Sequence, residues 1–414
     1  MGLSKRRILV VGGGLIGAGC AVALAQAGAE IVLVDPGVER ARASFGNAGQ
    51  IVIESVEPLA SWSQVSSAPG RLFLFGGPLD FRVSDADLWL PWALAYLRAC
   101  APARFKSGTL ALGQLLERAI PAWRALADAI GRPELIQAKG YYHLWESEAA
   151  VRRGLAQTAH TNQGSARWRP IEPSEIERLQ AVFAGRPKGG VYFENTAKLA
   201  DPGLTVKALH QALSQSGGEI LEDSVQRLEE TAKGVRAMLA SGVGVEADQV
   251  LIAAGARSST LMRQLGLHAP LVAERGYHLH FTEHAWPDDL EPVLFSDRFI
   301  YMTCFLSGAR ATSFTEIGRP DSPPDPRKWR ALRRQIRALG MPVQGDGVEW
   351  MGSRPTLPDF LPAIGRASAR VLYAFGHQHI GATLAAATAE AVVELMATEH
   401  TPDRLRPFDI ARFS

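Results

Sequence analysis

Hydrophobic and polar positions at the start of the chain follow the pattern of a strand, a turn, a helix and a second strand. Residues 7–11 (RILVV) form a short continuous apolar run, which is typical of a strand buried on both faces. Glycines follow at once, and residues 15–27 have the alanine- and leucine-rich composition of a helix. A second apolar run, 31–34 (IVLV), ends at Asp35. This order predicts a parallel β-α-β unit.

The pattern of the remaining chain alternates between helical and strand-like stretches. Helical periodicity dominates residues 85–185, interrupted by the strand-like run 139–145 (KGYYHLW). Residues 219–252 resemble a meander of strands, and residues 273–317 alternate as antiparallel strands do. The other predicted elements are helices over 88–97, 109–130, 174–182, 202–215 and 326–339, and a buried strand over 371–375 followed by a long helix.

This interleaving predicts an α/β (α+β) chain with a discontinuous dinucleotide-binding domain. A second domain of antiparallel strands and helices is inserted between its segments. The predicted dinucleotide domain comprises residues 1–85, 190–270 and 348–414, and the predicted substrate domain comprises 86–189 and 271–347. The 414 residues exceed the usual size of one domain, which favours two.

Composition and charge exclude several classes of protein. Apolar residues make up 47% and charged residues 21%, and the formal net charge of +2 gives no sign of a basic face for nucleic acid. The dispersed Cys20, Cys100 and Cys304 form neither a disulfide framework nor a set of metal ligands. We therefore expect the three cysteines to be reduced core residues of a cytoplasmic protein that has no metal site. The apolar window 88–100 is too short to span a bilayer.

Gly12, Gly14 and Gly17 form a G-x-G-x-x-G turn at the start of the first predicted helix. Gly12 permits the sharp turn, Gly14 lets the backbone approach a pyrophosphate, and Gly17 lets helix and strand pack closely. The N–H groups at the helix start then face the anion. Asp35 can accept hydrogen bonds from an adenosine ribose, and its charge would repel a 2′-phosphate. This spacing predicts dinucleotide binding but does not separate NAD from FAD.

Two further junctions between a strand and small residues favour FAD. Residues 249–255 (QVLIAAG) end in small residues that let another loop pass close to a cofactor. The strand 371–375 runs into 376–383 (GHQHIGAT), where a second helix N-terminus offers N–H donors and a positive dipole end. The electron-rich N1–C2=O edge of a reduced flavin needs such a partner. A soluble NAD enzyme is an alternative that leaves these residues unexplained.

Two longer motifs are more specific than the glycine turn. They are SFGNAGQ (44–50) and RP-x-x-PD-x-x-P-x-IG (354–365). With the closing PFDIARF (407–413), they resemble the bacterial D-amino acid dehydrogenase branch of the FAD-dependent D-amino acid dehydrogenase and oxidase superfamily, which is related to glycine and sarcosine oxidases. The resemblance implies a glutathione-reductase-type, Rossmann-like FAD domain with an antiparallel-sheet substrate domain over the flavin. Gln378 and Ala382 depart from the pattern of this branch, which leaves the exact substrate open.

The resemblance also implies which residues contact FAD. The ADP half would lie at the glycine turn and the end of the second strand, and the flavin would lie at the 44–50 loop and the C-terminal junction. The implied contacts are Gly12, Gly14, Leu15, Ile16, Gly17, Asp35, Pro36, Ser44, Asn47, Ala48, Gly49 and Gln50, Val225 beside the adenine, Ala254 and Gly255 beside the pyrophosphate, and Gly376, His377, Ile380, Gly381, Ala382 and Thr383 at the isoalloxazine.

Three residues of the C-terminal motifs are candidates for substrate chemistry. Arg354 is the candidate ligand of the substrate carboxylate, because a guanidinium offers two parallel donors. The alternative is that Arg354 pairs with the nearby Asp359. His377 and His379 could tune the charge near the flavin ring, or could satisfy backbone groups of the turn.

Two tyrosines of the predicted strands are further candidates. Tyr277 could close the pocket or bind the carboxylate, or it could be a core residue, and Tyr301 has the same alternatives. Adjacent strand residues point to opposite faces, so only one of Tyr277 and His278 can face the pocket.

The implied reaction is oxidation of a D-amino acid, or of a D-proline-type secondary amine, by hydride transfer from Cα to flavin N5. Electrons would pass to a quinone or another carrier. Alternatives are a peroxide-forming oxidase of the glycine or sarcosine oxidase type, or a flavin subunit of a larger electron-transfer complex. The basic helix 327–337 (RKWRALRRQIR) would dock a partner or the inner membrane, or be a solvated face. The sequence leaves open the amino acid, the electron acceptor, the oligomeric state and covalent attachment of the flavin.

Overall fold

The computed structural model describes residues 3–38, 42–398 and 400–413. The α-helices of these residues are α1 (Leu15–Gln26), α2 (Trp62–Ser67), α3 (Ala86–Ala99), α4 (Pro102–Glu117), α5 (Ala119–Ala129), α6 (Glu148–His160), α7 (Pro173–Val182), α8 (Pro202–Gln215), α9 (Ser258–Gln264), α10 (Pro326–Ala338) and α11 (Gly381–Ala397). The strands are β1 (Arg7–Val11), β2 (Glu30–Asp35), β3 (Gln50–Ile51), β4 (Leu79–Phe81), β5 (Ile136–Gln137), β6 (Tyr141–Trp145), β7 (Trp168–Pro170), β8 (Gly189–Phe193), β9 (Ala197–Leu199), β10 (Glu219–Glu222), β11 (Val225–Glu230), β12 (Val235–Leu239), β13 (Gly244–Ala247), β14 (Gln249–Ile252), β15 (Val272–Phe281), β16 (Val293–Phe295), β17 (Ile300–Phe305), β18 (Gly308–Gly318), β19 (Val348–Thr356), β20 (Ala363–Arg366) and β21 (Val371–Phe375).

The first sheet is mostly parallel and has the order β10-β2-β1-β14-β21-β20. β1 lies between β2 and β14, and its apolar run is continuous because both faces of the sheet are covered. Ile8 and Val10 pack in the same core as α1 and α11, whereas Leu9 and Val11 pack against the β11-β12-β13 sheet and α9. The predicted β-α-β unit and α/β fold class are confirmed.

The second sheet has the order β19-β15-β18-β17-β16-β6-β8-β7, and β4 pairs with β18. β15, β17, β18 and β19 are antiparallel, as the alternation over 273–317 predicted. One face of these strands packs against α10 through the core residues Tyr277, Leu279 and Met302. The opposite face lies over the loop that follows the first β-α-β unit.

The sheets divide the chain differently from the predicted domain boundaries at several places. β4, β8 and β19 pair in the second sheet, although residues 79–81, 190–193 and 348–356 were assigned to the dinucleotide domain. α4 and α5 pack on α11 of the first sheet, and the Trp123 indole donates to the carbonyl of Ala382 at 2.7 Å. The helix predicted over 109–130 is two helices, α4 and α5.

The helical stretch Gln378–Ala397 is long and apolar enough to cross a membrane by length and composition. In this structure 72% of its apolar window is buried inside the protein, and the helix packs against α1, α4 and α5. Its small residues therefore serve close helix packing in the core.

The three cysteines are free. Cys20 and Cys100 are buried as predicted, but Cys304 is only half-buried. Its Sγ lies 3.7 Å from Nε2 of His284, so the prediction of a core position was wrong for this residue.

Candidate active site

The carboxyl ends of four parallel strands meet at one edge of the first sheet. β2, β1, β14 and β21 are neighbours in that order. Their ends lead to Asp35, Gly12, Ala253 and Gly376. Ligands of open α/β sheets bind outside this edge. The junctions predicted from separate parts of the chain therefore lie side by side.

The glycine turn has the close contacts that its spacing predicted. Gly12 has a φ of +106°, and a Cβ there would lie 2.4 Å from the carbonyl oxygen of Ala253. A Cβ on Gly17 would lie 1.8 Å from the carbonyl oxygen of Gly12. On Gly14 it would contact only Ser44, with Oγ at 3.0 Å. Gly12 and Gly17 thus permit packing, while Gly14 leaves the backbone accessible to a pyrophosphate.

We expect Gly17→Ala to destabilise the protein by about 1–3 kcal/mol, the usual cost of overpacking, and to lower its flavin content. The added methyl group would push α1 away from the glycine turn that holds the cofactor. The ratio of flavin to protein absorbance after purification measures this loss. Gly70→Ala is the control, because its Cβ would meet nothing within 4 Å. Normal flavin content in Gly17→Ala would contradict the assignment.

Asp35 lies at the end of β2 and is buried. Its carboxylate accepts hydrogen bonds from the N–H groups of Gly13 (2.6 Å) and Gly37 (3.0 Å) and from Arg42 (2.5 Å). Burial raises the pKa of Asp35, but these bonds and the charge of Arg42 lower it overall. Arg42, which sequence reasoning missed, adds a cation beside the ionised acid at the expected site of the ADP half.

The other predicted contacts of the ADP half lie along the same edge. Ala254 and Gly255 follow β14, and a Cβ on Gly255 would face open space. Val225 begins β11, directly after the strand that pairs with β2. The remaining residues predicted here are Leu15 and Ile16 in the first turn of α1, and Pro36 after β2.

The loop of residues 44–50 joins the two sheets. Ser44 Oγ accepts from the Leu15 N–H at the start of α1, at 3.0 Å. At the other end of the loop, Thr383 of α11 donates to the carbonyl of Gln50 (3.3 Å) and accepts from the Val52 N–H (3.1 Å). The loop therefore runs from the N-terminus of α1 to the N-terminus of α11. A ligand that contacts both helix N-termini would lie along this loop.

Residues of the second sheet hold the middle of this loop. Arg310 donates to the carbonyls of Phe45 (3.1 Å) and Asn47 (2.7 Å). Thr303 donates to the carbonyl of Ala48 at 3.2 Å. Sequence reasoning missed Arg310 and Thr303, because these contacts cross more than 250 residues of chain.

The C-terminal junction turns sharply into α11. Gly376 has a φ of +80°, and Gly381 begins the helix. The His377 ring is buried, and its Nε2 lies 2.9 Å from Oγ1 of Thr388 within the same helix. Burial lowers the pKa of His377 to about 3. The structure thus turns Nε2 of the His377 ring toward α11, while its buried Nδ1 has no hydrogen-bond partner among the described residues.

Arg354 pairs with Glu274 across the neighbouring strands β19 and β15. NH1 of Arg354 lies 3.1 Å from Oε1 of Glu274. A Cβ on Gly276 would lie 2.3 Å from NH2 of Arg354, so the guanidinium lies against the glycine backbone. The alternative pair of Arg354 with Asp359 is wrong, because Asp359 pairs with Arg412 at 2.6 Å. Strand register decided the partner of Arg354.

His379 lies near this pair. Burial lowers the pKa of His379, and the charges of Glu274 and Arg354 act on it in opposite directions. The imidazole is therefore neutral near pH 7. The structure brings the side chains of His379 and Arg354 close together, whereas the His377 ring contacts Thr388 instead.

The two faces of β15 separate Tyr277 from His278. His278 Nδ1 lies 3.1 Å from the carbonyl oxygen of Gly46, so His278 faces the loop. Tyr277 is on the opposite face, where its hydroxyl donates to Glu316 (3.2 Å) and accepts from the Asp325 N–H (3.0 Å). Alternation correctly predicted that only one of them faces the loop. The structure does not place Tyr277 with Arg354, which is a correction to its candidate role.

Tyr301 lies on the same face as His278. In the sheet register Tyr301 pairs with Thr312, and Thr312 pairs with His278. The Tyr301 ring centroid lies 6.2 Å from that of Tyr141, whose hydroxyl donates to Glu54 at 2.8 Å. Tyr301 is therefore brought to the loop side, together with two residues that sequence reasoning did not single out.

Three buried polar atoms without hydrogen-bond partners lie around this loop. Gln50 Oε1, Glu54 Oε2 and Thr312 Oγ1 are shielded from solvent and have no partner among the described residues. Buried polar groups are nearly always satisfied in native proteins, so such atoms indicate a place for a ligand. Together with the open backbone at Gly14, these atoms fit a dinucleotide whose ring system lies beneath the second sheet.

Three carboxylates, of Asp80, Glu316 and Asp325, lie close enough to hold a metal ion. The buried Lys328 ammonium already occupies their centre, with Nζ 2.6 Å from Asp80, 2.6 Å from Glu316 and 3.2 Å from Asp325. The group is therefore an ion-pair network on the α10 side of the sheet.

Comparisons with known proteins agree with this geometry. A family model described as FAD dependent oxidoreductase (DAO) matches residues 7–395. The chain is 31% identical over 419 residues to a D-amino-acid oxidase of Bradyrhizobium diazoefficiens, with 99% of each chain covered. It is 29% identical over 407 residues to D-amino acid dehydrogenase 2 of Pseudomonas aeruginosa, with 94% of each chain covered.

A solved structure shows the same fold. Glycine oxidase from Geobacillus kaustophilus superposes on this structure with a TM-score of 0.74 at 19% sequence identity, and 99% of each chain is covered. The fold class and the family resemblance predicted from sequence are both confirmed.

Proposed function

Because the chain belongs to the DAO family of FAD-dependent oxidoreductases, we propose that it oxidises a D-amino acid, or a D-proline-type secondary amine, to the imino acid. FAD is the cofactor of the family, which confirms the cofactor predicted from sequence. The relatives named D-amino-acid oxidase and D-amino acid dehydrogenase support this substrate class. Bound FAD supplies the acceptor for the two electrons removed from the substrate.

The position of Arg354 is the observation that carries the proposal. The side chain is 22% exposed, and among the described residues its guanidinium donates only to Glu274. Its Nε and NH2 have no hydrogen-bond partner among the described residues, and such a pair of donors can form two parallel hydrogen bonds to a carboxylate. β19 and β15 carry this pair on the face that covers the 44–50 loop, where the flavin is expected.

The protein contributes orientation and exclusion of water. Arg354 would hold the substrate carboxylate, and Glu274 would hold Arg354 in turn. The neutral His379 beside them can exchange hydrogen bonds without adding a charge. Holding the reacting atoms in a fixed geometry supplies much of the rate gain in such reactions. The mechanism requires no general base if the amine enters in its neutral form.

For the electron acceptor we propose a quinone or another carrier rather than oxygen. Support comes from the motifs 44–50, 354–365 and 407–413, which resemble the dehydrogenase branch. The relatives include both an oxidase and a dehydrogenase by name. An oxygen electrode during turnover distinguishes the two: oxygen consumption matching substrate loss would identify an oxidase.

The helix α10 gives little support to the alternative of a subunit in a larger complex. Its apolar residues Trp329, Leu332 and Ile336 pack on the second sheet. Arg333 pairs with Glu349, and Arg337 pairs with Asp346. Because much of its charge is neutralised within the chain, we propose that the protein is active without a partner subunit.

A dye-linked screen of the purified chain tests the proposal. We expect a yellow protein with a flavin spectrum that reduces an artificial dye with D-amino acids but not with their L-enantiomers. Proline analogues and sarcosine belong in the same screen, because the exact amine is open. A flavin-containing protein that reduces the dye only with L-amino acids, or with none, would refute the D-amino acid proposal.

A further inference from the structure

Glu54 lies close to the expected flavin ring but has no part in the function described so far. Val52, two residues before it, donates its N–H to Thr383 at the first turn of α11. Two residues of extended chain span at most about 7 Å. Glu54 therefore lies beside the junction at which the isoalloxazine end of FAD is expected.

The carboxylate of Glu54 is enclosed by two tyrosines. Its Oε1 accepts a hydrogen bond from the Tyr141 hydroxyl at 2.8 Å. Burial raises the pKa of the Tyr301 hydroxyl, and the negative charge of the nearby Glu54 raises it further. The residue is half-buried, but its Oε2 is shielded from solvent and has no hydrogen-bond partner among the described residues. Burial raises the pKa of Glu54 to about 7.

Two buried acids of the second sheet, in contrast, have cations beside them. Glu316 pairs with Arg275 and Lys328, and Glu274 pairs with Arg354. No lysine, arginine or histidine in the described parts of the chain forms an ion pair with Glu54. An unpaired buried carboxylate costs several kcal/mol. An external cation that fills this place would remove that cost.

The sheet register separates this acid from Arg354. Tyr301 lies beside Glu54 on β17, and the strand pairing aligns it with Trp350 of β19. Trp350 is four residues from Arg354 along the same strand. The two strands are three spacings apart, so the backbone positions differ by about 14 Å across the sheet and about 13 Å along it. A substrate that contacts both Arg354 and Glu54 must therefore be long and carry a charged group at each end.

We propose that Glu54, Tyr141 and Tyr301 form a subsite for the cationic side chain of the substrate, which makes the substrate class D-amino acids with a guanidinium or ammonium group. The cation would donate to Oε2 of Glu54 and lie against the two tyrosine rings, which attract cations. Arg354 would hold the carboxylate at the opposite end. This inference rests on the proposed D-amino acid oxidation.

Matched substrate pairs test the subsite in the FAD-loaded enzyme. D-Arginine has D-citrulline as its neutral analogue, and D-lysine has D-norleucine. We expect the wild type to prefer the cationic member of each pair in kcat/KM. Glu54→Gln, which keeps the shape and can still accept the Tyr141 hydrogen bond, should lower kcat/KM for the cationic members by about 100-fold, as loss of a buried charge partner does. The neutral members should change little.

Glu57→Gln is the matched control, because Glu57 accepts from the Asn162 N–H and does not contact the tyrosines. It should keep the wild-type preference. A ratio of D-arginine to D-citrulline that is the same in wild type and Glu54→Gln would overturn the subsite. Oxidation of neutral D-amino acids in preference to cationic ones would also overturn it, while leaving the proposed function intact.

A binding probe tests the subsite separately from turnover. Butylguanidinium should raise the melting temperature of the FAD-loaded wild type but not of Glu54→Gln, and neutral butylurea should shift neither. This readout remains valid even if no D-amino acid reduces the dye. That result would refute the proposed function but not the cation subsite. Equal shifts in both proteins would overturn the cation subsite.

Discussion

Arg354→Leu is expected to lower kcat/KM for the D-amino acid substrate by about 150- to 4,000-fold. Removing one partner of a buried charge pair costs about 3–5 kcal/mol. Leucine leaves the substrate carboxylate without its ligand and leaves Glu274, whose side chain is 6% exposed, without a countercharge. The two carboxylates would then repel each other. Steady-state kinetics with dye reduction measures the loss.

Two further variants separate the role of Arg354 from a general loss of structure. Arg354→Lys keeps a cation beside Glu274 but loses the two-donor fork, so its loss should be smaller than that of leucine. Arg236→Leu changes an exposed arginine of β12 that pairs with Glu246, and it should behave like the wild type. Unchanged kcat/KM in Arg354→Leu with normal flavin content would remove Arg354 from the substrate site.

Lys328→Met is expected to destabilise the protein by about 3–5 kcal/mol, because it removes the cation of a buried network. The Lys328 side chain is fully buried, and the carboxylates of Asp80, Glu316 and Asp325 surround it. Without the ammonium, these acids would repel one another. Among the described residues, the buried cation left beside them would be Arg275, which lies 2.7 Å from Glu316. The midpoint of urea denaturation of the FAD-loaded protein measures the loss.

Lys106→Met is the control for this change, because Lys106 is an exposed residue of α4. It should leave the midpoint within error of the wild type. Adding Glu316→Gln to Lys328→Met should recover part of the stability, since one of the repelling charges is removed. An unchanged midpoint in Lys328→Met would show that the network does not contribute to stability.

The cofactor site was predictable from sequence to a large extent. Gly12 has a positive φ, which favours glycine. Gly17 must lack a side chain, because a Cβ there would lie less than 2 Å from the carbonyl oxygen of Gly12. Such requirements are local, because they depend on residues within one turn and the strand before it. The apolar runs of β1 and β2 likewise predicted their burial, since a strand covered on both faces has no polar positions.

The substrate side was less predictable, because its contacts join distant segments. Alternation showed that Tyr277 and His278 face opposite sides of β15, but not which side faces the loop. The irregularity between Arg275 and Tyr277 in the pairing with β18, and the packing of α10 on one face, settled that orientation. Nothing in the local pattern distinguished the two possibilities.

The sequence alone established the family, the cofactor, the fold class and the positions of the glycine turn, because each depends on short motifs or on the periodicity of single elements. Folding in three dimensions determined which charged groups meet. The pairing of β15 with β19 brings Glu274 to Arg354 across 80 residues and leaves Asp359 to Arg412. Glu54 and Tyr141 meet in the same way, since strand register and packing between sheets are properties of the whole chain.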